Sequence, residues 1–128
     1  MADGDGVCKG LHCLVLDDEF LIALDIQQVL ESAGAASVTC TATVDETLEA
    51  LSDGREFDVA IIDVKLGGSG GNSITVAEKL AQRKTPFVFL TGMRADDMSA
   101  QGFPAVPVVE KPFQAPTLLE ALRRLMAR

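Results

Sequence analysis

Residues 57–68 read FDVAIIDVKLGG, and this stretch decides the fold. Four apolar residues, Val59, Ala60, Ile61 and Ile62, end abruptly in the carboxylate of Asp63, after which the chain breaks into glycines. Such a run predicts a central strand buried on both faces, the kind found in parallel sheets covered by helices. A charged carboxylate is costly inside that layer, so Asp63 is expected just past the strand's C-terminal end. Open α/β sheets place their chemistry there. Asp63 is therefore either a residue that solvates the strand end or a reactive group.

Upstream, residues 11–16 (LHCLVL) predict a first strand, followed at once by Asp17, Asp18 and Glu19. Ile22, Ile26, Val29, Leu30 and Ala33 then recur at helical spacing over residues 19–33, and Gly34 suits the position after a helix end. Residues 37–41 predict a short second strand. Thr43 and Glu46 have the spacing of a capping box that opens a helix through Leu48 and Leu51, stopped at Asp53-Gly54.

Downstream, glycines 67–71 predict a flexible loop. Asn72 or Ser73 can cap a helix carrying Ile74, Ala77, Leu80 and Ala81. Pro86 starts a fourth strand, FVFL, ending at Thr91-Gly92. Residues 93–101 (MRADDMSAQ) are a weak, polar helix candidate. Residues 106–109 predict a fifth strand containing Pro107, which demands a sheet edge. Lys111-Pro112 follows, and Pro116 opens a last helix through Leu118, Leu122, Leu125 and Met126.

Five strands alternating with five helices predict an α/β fold with a doubly wound, five-stranded parallel sheet. The flavodoxin-like strand order 2-1-3-4-5 puts strand five at an edge, as Pro107 requires. In that order Asp17, Asp18 and Asp63 converge in one crevice, joined by Thr91 and Lys111 from strands four and five.

Composition sets the remaining bounds. The 128 residues suit one domain, with a Gly- and Asp-rich flexible N-terminus over 1–10 and the folded unit over 11–128. Nearly half the residues are hydrophobic, yet there is no Trp or Tyr and only six Phe, so the core is aliphatic. A net charge of −8 opposes nucleic-acid binding, which needs a basic face. Cys8, Cys13 and Cys40 show no metal-ligand spacing, and Cys13 and Cys40 read as small buried hydrophobes in a reducing cytosol. Nothing resembles a signal peptide or a membrane span, so a cytoplasmic protein is expected. His12 reads as a packing or edge residue. Glycines 67–71 are no P-loop, since no Lys-Ser or Lys-Thr follows.

Three carboxylates at neighbouring strand ends repel one another, and a hard divalent cation resolves that repulsion. Mg²⁺ fits because it takes few protein oxygens and keeps waters. With Mg²⁺ bound, Asp63 can attack phosphorus to give an aspartyl phosphate. Such transfer needs positioning and charge neutralisation, which the Lys111 ammonium and the Thr91 hydroxyl would help supply. Backbone amides near Lys65 and Gly92 offer further donors.

These residues resemble the receiver domain of two-component response regulators. The matching positions are Asp17-Asp18, Asp63, Thr91 and Lys111-Pro112, and the likeness runs from residue 11 to residue 126. It implies that Asp63 is the phosphoacceptor, with Asp18, Asp63 and the Lys65 carbonyl binding Mg²⁺ directly and Asp17 acting through water. Thr91 and Lys111 would sense the phosphoryl group. The donor would be a sensor histidine kinase or a histidine phosphotransfer protein. The chain would be a stand-alone phosphoacceptor switch, not an enzyme beyond self-phosphorylation and self-dephosphorylation. It would alter binding of an unidentified downstream protein through the face made by strand four, the 93–101 segment and strand five. A homodimer on phosphorylation is among the partners this allows.

Two positions depart from the family pattern. Val108 stands where receivers carry Tyr or Phe three residues before the lysine, and Gly67 replaces the usual Pro after the phosphoacceptor. PFVFLTG at 86–92 and KPF at 111–113 are similar to the alphaproteobacterial subgroup named after its Phe-Ala-Thr-Gly motif, with Leu90 in place of the Ala. Without the aromatic, ordering of residues 93–101 is the expected route of signalling, and Met93 is placed to shield the acyl phosphate. Three rivals fit less well. A docking module on a degenerate receiver would not need the acidic, hydroxyl and lysine positions intact. A phosphatase wants a general acid two residues after the nucleophile, where Lys65 stands. A flavin carrier wants stacking aromatics and no acidic crevice.

Overall fold

The central strand is as apolar as its sequence, and its neighbours follow from it. The computed structural model describes residues 6–64, 73–92 and 106–127. Along the chain run β1 (His12–Leu16), α1 (Phe20–Ser32), β2 (Ser37–Thr41), α2 (Val44–Ser52), β3 (Val59–Asp63), α3 (Ser73–Gln82), β4 (Phe87–Thr91), β5 (Val108–Glu110) and α4 (Ala115–Met126). The strands form one parallel sheet in the order β2-β1-β3-β4-β5, as read from the sequence. The glycine loop at 67–71, Asn72 and the helix expected over 93–101 lie outside the described residues.

Every residue of β3 and of β4 is buried, because helices cover both faces of the sheet. Alternation along the strands divides the core in two. Cys13, Val15, Val59, Ile61, Val88, Leu90 and Val109 meet Ile26 and Leu30 of α1 and Leu118 and Leu122 of α4. Leu14, Leu16, Ala60, Ile62, Phe87 and Phe89 meet Leu51 of α2 and Val76, Ala77 and Leu80 of α3.

The helix ends follow local chemistry. Thr43 Oγ1 accepts the Glu46 N–H at 3.0 Å, while the Glu46 carboxylate accepts the Ala42 N–H at 2.8 Å, one residue earlier than a standard capping box. At the end of α1, Gly34 has a φ of +100°, and a Cβ there would lie 3.0 Å from the Lys9 Cα. Only glycine meets both conditions without strain. Lys9 is so close because residues 6–10 turn against the end of α1. The Cys8 N–H donates to the Ala33 carbonyl and the Gly10 N–H to the Gly34 carbonyl, each at 3.0 Å, and Cys8 is buried.

Four details differ from the sequence reading. Asp63 is the last residue of β3, paired with Leu90, rather than a residue beyond it. The fifth strand is shorter than expected and begins after Pro107. Lacking an N–H, that residue contributes only its carbonyl, which accepts from Phe89 N–H at 3.0 Å. Ser73 is the first residue of α3 and does not cap it; its hydroxyl donates to the Asp63 carbonyl at 2.8 Å. Cys40 is exposed, because β2 is an edge strand and its thiol faces Gln27 of α1 at 3.7 Å.

Candidate functional site

The sheet register brings the acidic residues together. Val15 pairs with Ile61 and Leu16 with Ile62, so Asp17 and Asp63 end their strands side by side. Asp17, Asp63 and Lys111 each stand two residues beyond a buried member of the same sheet face, namely Val15, Ile61 and Val109. Strand alternation therefore sends all three to the side covered by α1 and α4. The Asp17 N–H donates to the Thr41 carbonyl at 3.1 Å and the Val64 N–H to the Leu90 carbonyl at 2.9 Å, which anchors both strand ends.

Asp17, Asp18, Glu19 and Asp63 each place a carboxylate oxygen within 4.8 Å of the others. Asp17 and Asp63 are buried, Asp18 and Glu19 exposed. The Lys111 ammonium lies among them, 2.8 Å from Asp63 Oδ1, 3.2 Å from Glu19 Oε1 and 3.4 Å from Asp17 Oδ2. This contact is how a buried Asp63 is tolerated inside the strand. Thr91 is fully buried at the end of β4, and its carbonyl accepts the Lys111 N–H at 2.8 Å. The structure thus brings together Asp17, Asp18, Asp63 and Lys111, with Thr91 on the adjoining strand. Lys65 and Met93 lie outside the described residues.

Glu19 is the site residue that sequence reasoning missed. The signal was the unbroken acidic run of Asp17, Asp18 and Glu19, whose third member reads as a helix-start residue. Also unforeseen is the exposed apolar cluster that follows it: Phe20 and Leu21 are 77% and 72% exposed, and Leu24 is exposed as well.

Among the described residues, four carboxylates share one ammonium in the crevice. Burial raises the Asp17 carboxyl above the ordinary carboxylate range. The Glu19 N–H at 2.9 Å pulls it back, the charge of Asp63 raises it again, and Lys111 offsets only part. Burial disfavours the Lys111 ammonium, yet the hydrogen bond to Asp63 and the charges of Asp63 and Asp17 outweigh that and hold its pKa above the usual lysine value. Asp17 Oδ2 is buried and has no hydrogen-bond partner among the described residues, with the Lys111 ammonium 3.4 Å away. An orphaned carboxylate oxygen in an all-oxygen cluster is the donor set a hard divalent cation takes, so the residues present fit Mg²⁺.

Residues 13–123 match the response regulator receiver domain model, and the chain belongs to that family, a family of two-component signalling proteins. It is 26% identical over 120 residues to the cell cycle response regulator CtrA of Brucella ovis, a match covering 92% of this chain and 51% of that protein. The chain thus spans about half the length of the curated relatives it matches. Among solved structures, a response regulator receiver protein from Sinorhizobium medicae superposes with a TM-score of 0.82 at 26% identity, covering 92% of this chain and 95% of that one. The chemotaxis response regulator CheY4 of Vibrio cholerae does so with a TM-score of 0.76, also at 26% identity, covering 91% and 99%. No described helix is long and apolar enough to cross a membrane.

Proposed function

We propose that Asp63 accepts a phosphoryl group from the histidine of a sensor kinase or phosphotransfer protein, and that the modified chain changes its affinity for a downstream protein. The observation that carries this reading is the Lys111 ammonium 2.8 Å from Asp63 Oδ1 inside a cluster of four carboxylates. A carboxylate oxygen of Asp63 forms the new bond to phosphorus as the bond from phosphorus to the donor's imidazole nitrogen breaks, and the departing imidazole carries the electron pair and takes up a proton. Asp18, Asp63 and the Lys65 carbonyl would hold Mg²⁺, with Asp17 acting through water. When bound, the ion supplies charge neutralisation for the phosphoryl oxygens. Lys111 adds a second positive charge, and the Thr91 hydroxyl donates to a phosphoryl oxygen. Because Lys111 and Thr91 share a backbone hydrogen bond, a shift of one is felt by the other.

Incubation with acetyl phosphate and Mg²⁺ tests this reading. One phosphoryl group per chain, mapped to Asp63 by peptide mass spectrometry and lost on chelation, is the expected result. No adduct under saturating donor overturns it, and sustained turnover of a small phosphate ester points to the phosphatase reading instead.

Cation binding should depend on pH. The folded-state pKa of Asp17 is raised, so the folded chain holds that proton more tightly than the unfolded chain does. The apo protein's contribution from this group is greatest below the ordinary carboxylate pKa and is lost as pH rises through the raised value. A cation displaces the same proton. Mg²⁺ affinity is therefore expected to fall by up to about tenfold per pH unit once the pH drops below the raised value. Calorimetric titrations over a series of pH values from about 8 down to about 4 check for that fall.

The exposed cluster of Phe20, Leu21 and Leu24 directly follows the acidic run and borders the crevice, where a protein phosphodonor has to dock. A double variant, Phe20→Ala with Leu21→Ala, should slow transfer from a protein donor by about tenfold or more, as loss of central aromatic anchors does. Labelling by acetyl phosphate should be unchanged. Equal loss with both donors would remove the docking role.

A further inference from the structure

Glu19 occupies the N-cap of α1, where a polar side chain ordinarily accepts from the helix's first N–H groups. It makes no such cap. Its backbone N–H is held instead by Asp17 Oδ1 at 2.9 Å, and its carboxylate extends across the crevice to Lys111. The three carboxylates around that ammonium are not equivalent. Asp17 and Asp63 are buried at strand ends, whereas the Glu19 side chain is 51% exposed and can move. Lys111, itself only 15% exposed, is shared between an inner partner at 2.8 Å and an outer one at 3.2 Å.

We propose that Glu19 is a positioning residue for Lys111, drawing the ammonium toward α1 in the unmodified chain and competing for it with a phosphoryl group on Asp63. The competing half of this inference rests on Asp63 being the phosphoacceptor. An ammonium has three donors and no planar fork, so it goes where negative charge is greatest. Once Asp63 carries a phosphoryl group, that charge moves outward onto phosphoryl oxygens, and Lys111 has to follow. The pull of Glu19 opposes the shift. Its charge also faces any incoming anionic donor, which acts in the same direction. Ion pairs with one exposed partner are worth only a few-fold in an equilibrium, so Glu19 tunes the response and does not gate it.

Glu19→Gln keeps the shape and removes the charge. In the unmodified protein, acylation of Lys111 by an N-hydroxysuccinimide ester, measured against the other lysines of the same chain, is expected to rise about two- to fivefold. At saturating Mg²⁺, which cancels the loss of one carboxylate from the cation cluster, beryllofluoride affinity should rise by a similar factor. Glu19→Asp keeps the charge but reaches one methylene less far, and should give intermediate values for both. A role confined to the helix start predicts the reverse, since Asp is the better capping residue, and leaves Lys111 acylation unchanged. Unchanged acylation in Glu19→Gln, or raised acylation with unchanged beryllofluoride affinity, overturns the inference. Failure of the phosphoacceptor reading looks different: the wild-type chain itself then binds no beryllofluoride, while the acylation ratio still reports whether Glu19 holds Lys111.

Discussion

Asp63→Asn is expected to abolish phosphoryl labelling while leaving the chain folded and, without a divalent cation, more stable. An amide oxygen is not a nucleophile toward phosphorus at neutral pH, so loss of labelling should be complete. The stability gain comes from the neighbours. The charge of Asp63 contributes to the raised pKa of Asp17, and removing it lets the Asp17 carboxylate ionise at lower cost. Lys111 is not stranded, because Asp17 and Glu19 remain at 3.4 and 3.2 Å. The gain should be about 1 kcal/mol in chelator, since removing one of four clustered carboxylates relieves like-charge repulsion while Lys111 keeps two partners. The chain has no Trp or Tyr, so urea unfolding is followed by far-ultraviolet circular dichroism. Labelling of the Asn variant at another residue would remove Asp63 from its role.

Lys111→Met is the opposite case. It keeps the aliphatic stem and deletes the cation, leaving Asp17 and Asp63 buried in a cluster with the Asp18 and Glu19 carboxylates and without that ammonium. Breaking a buried pair costs about 3–5 kcal/mol. Lys111 is partly exposed, so a smaller loss than that, about 2–3 kcal/mol in chelator, is expected. Saturating Mg²⁺ should restore most of that loss, because an ion bound only by the folded state stabilises it. Equal destabilisation with and without Mg²⁺ would mean that Lys111 holds the fold together by some other means.

The fold was legible because this chain's strands are short and their apolar runs end sharply. SVTCT was bounded correctly at both ends, and Pro116 and Gly34 punctuated their helices as expected. What sequence could not supply were outcomes of tertiary pairing. Nothing local says that Lys111 will neutralise Asp63, and without that knowledge a carboxylate is rightly placed outside the strand. Strand membership alone implies burial of Cys40, but an edge strand gives its residues only partial cover. Pro107 precedes the strand that its sequence neighbours suggest it belongs to, since its carbonyl joins the ladder and its missing N–H ends it. Periodicity selects the helical stripe that faces the core and is silent on Phe20 and Leu21, which lie off it.

The shared parity of Asp17, Asp63 and Lys111 makes three strands into rulers. Inserting one residue between Val59 and Asp63 would turn the acid toward α3. Inserting two would restore its facing but carry it about 7 Å further along the strand, away from the ammonium. Length changes in this protein are therefore tolerable in its connections and not in the few residues that lead each charge to the sheet's rim. That lends the chain a practical alignment rule: gaps do not belong in those runs.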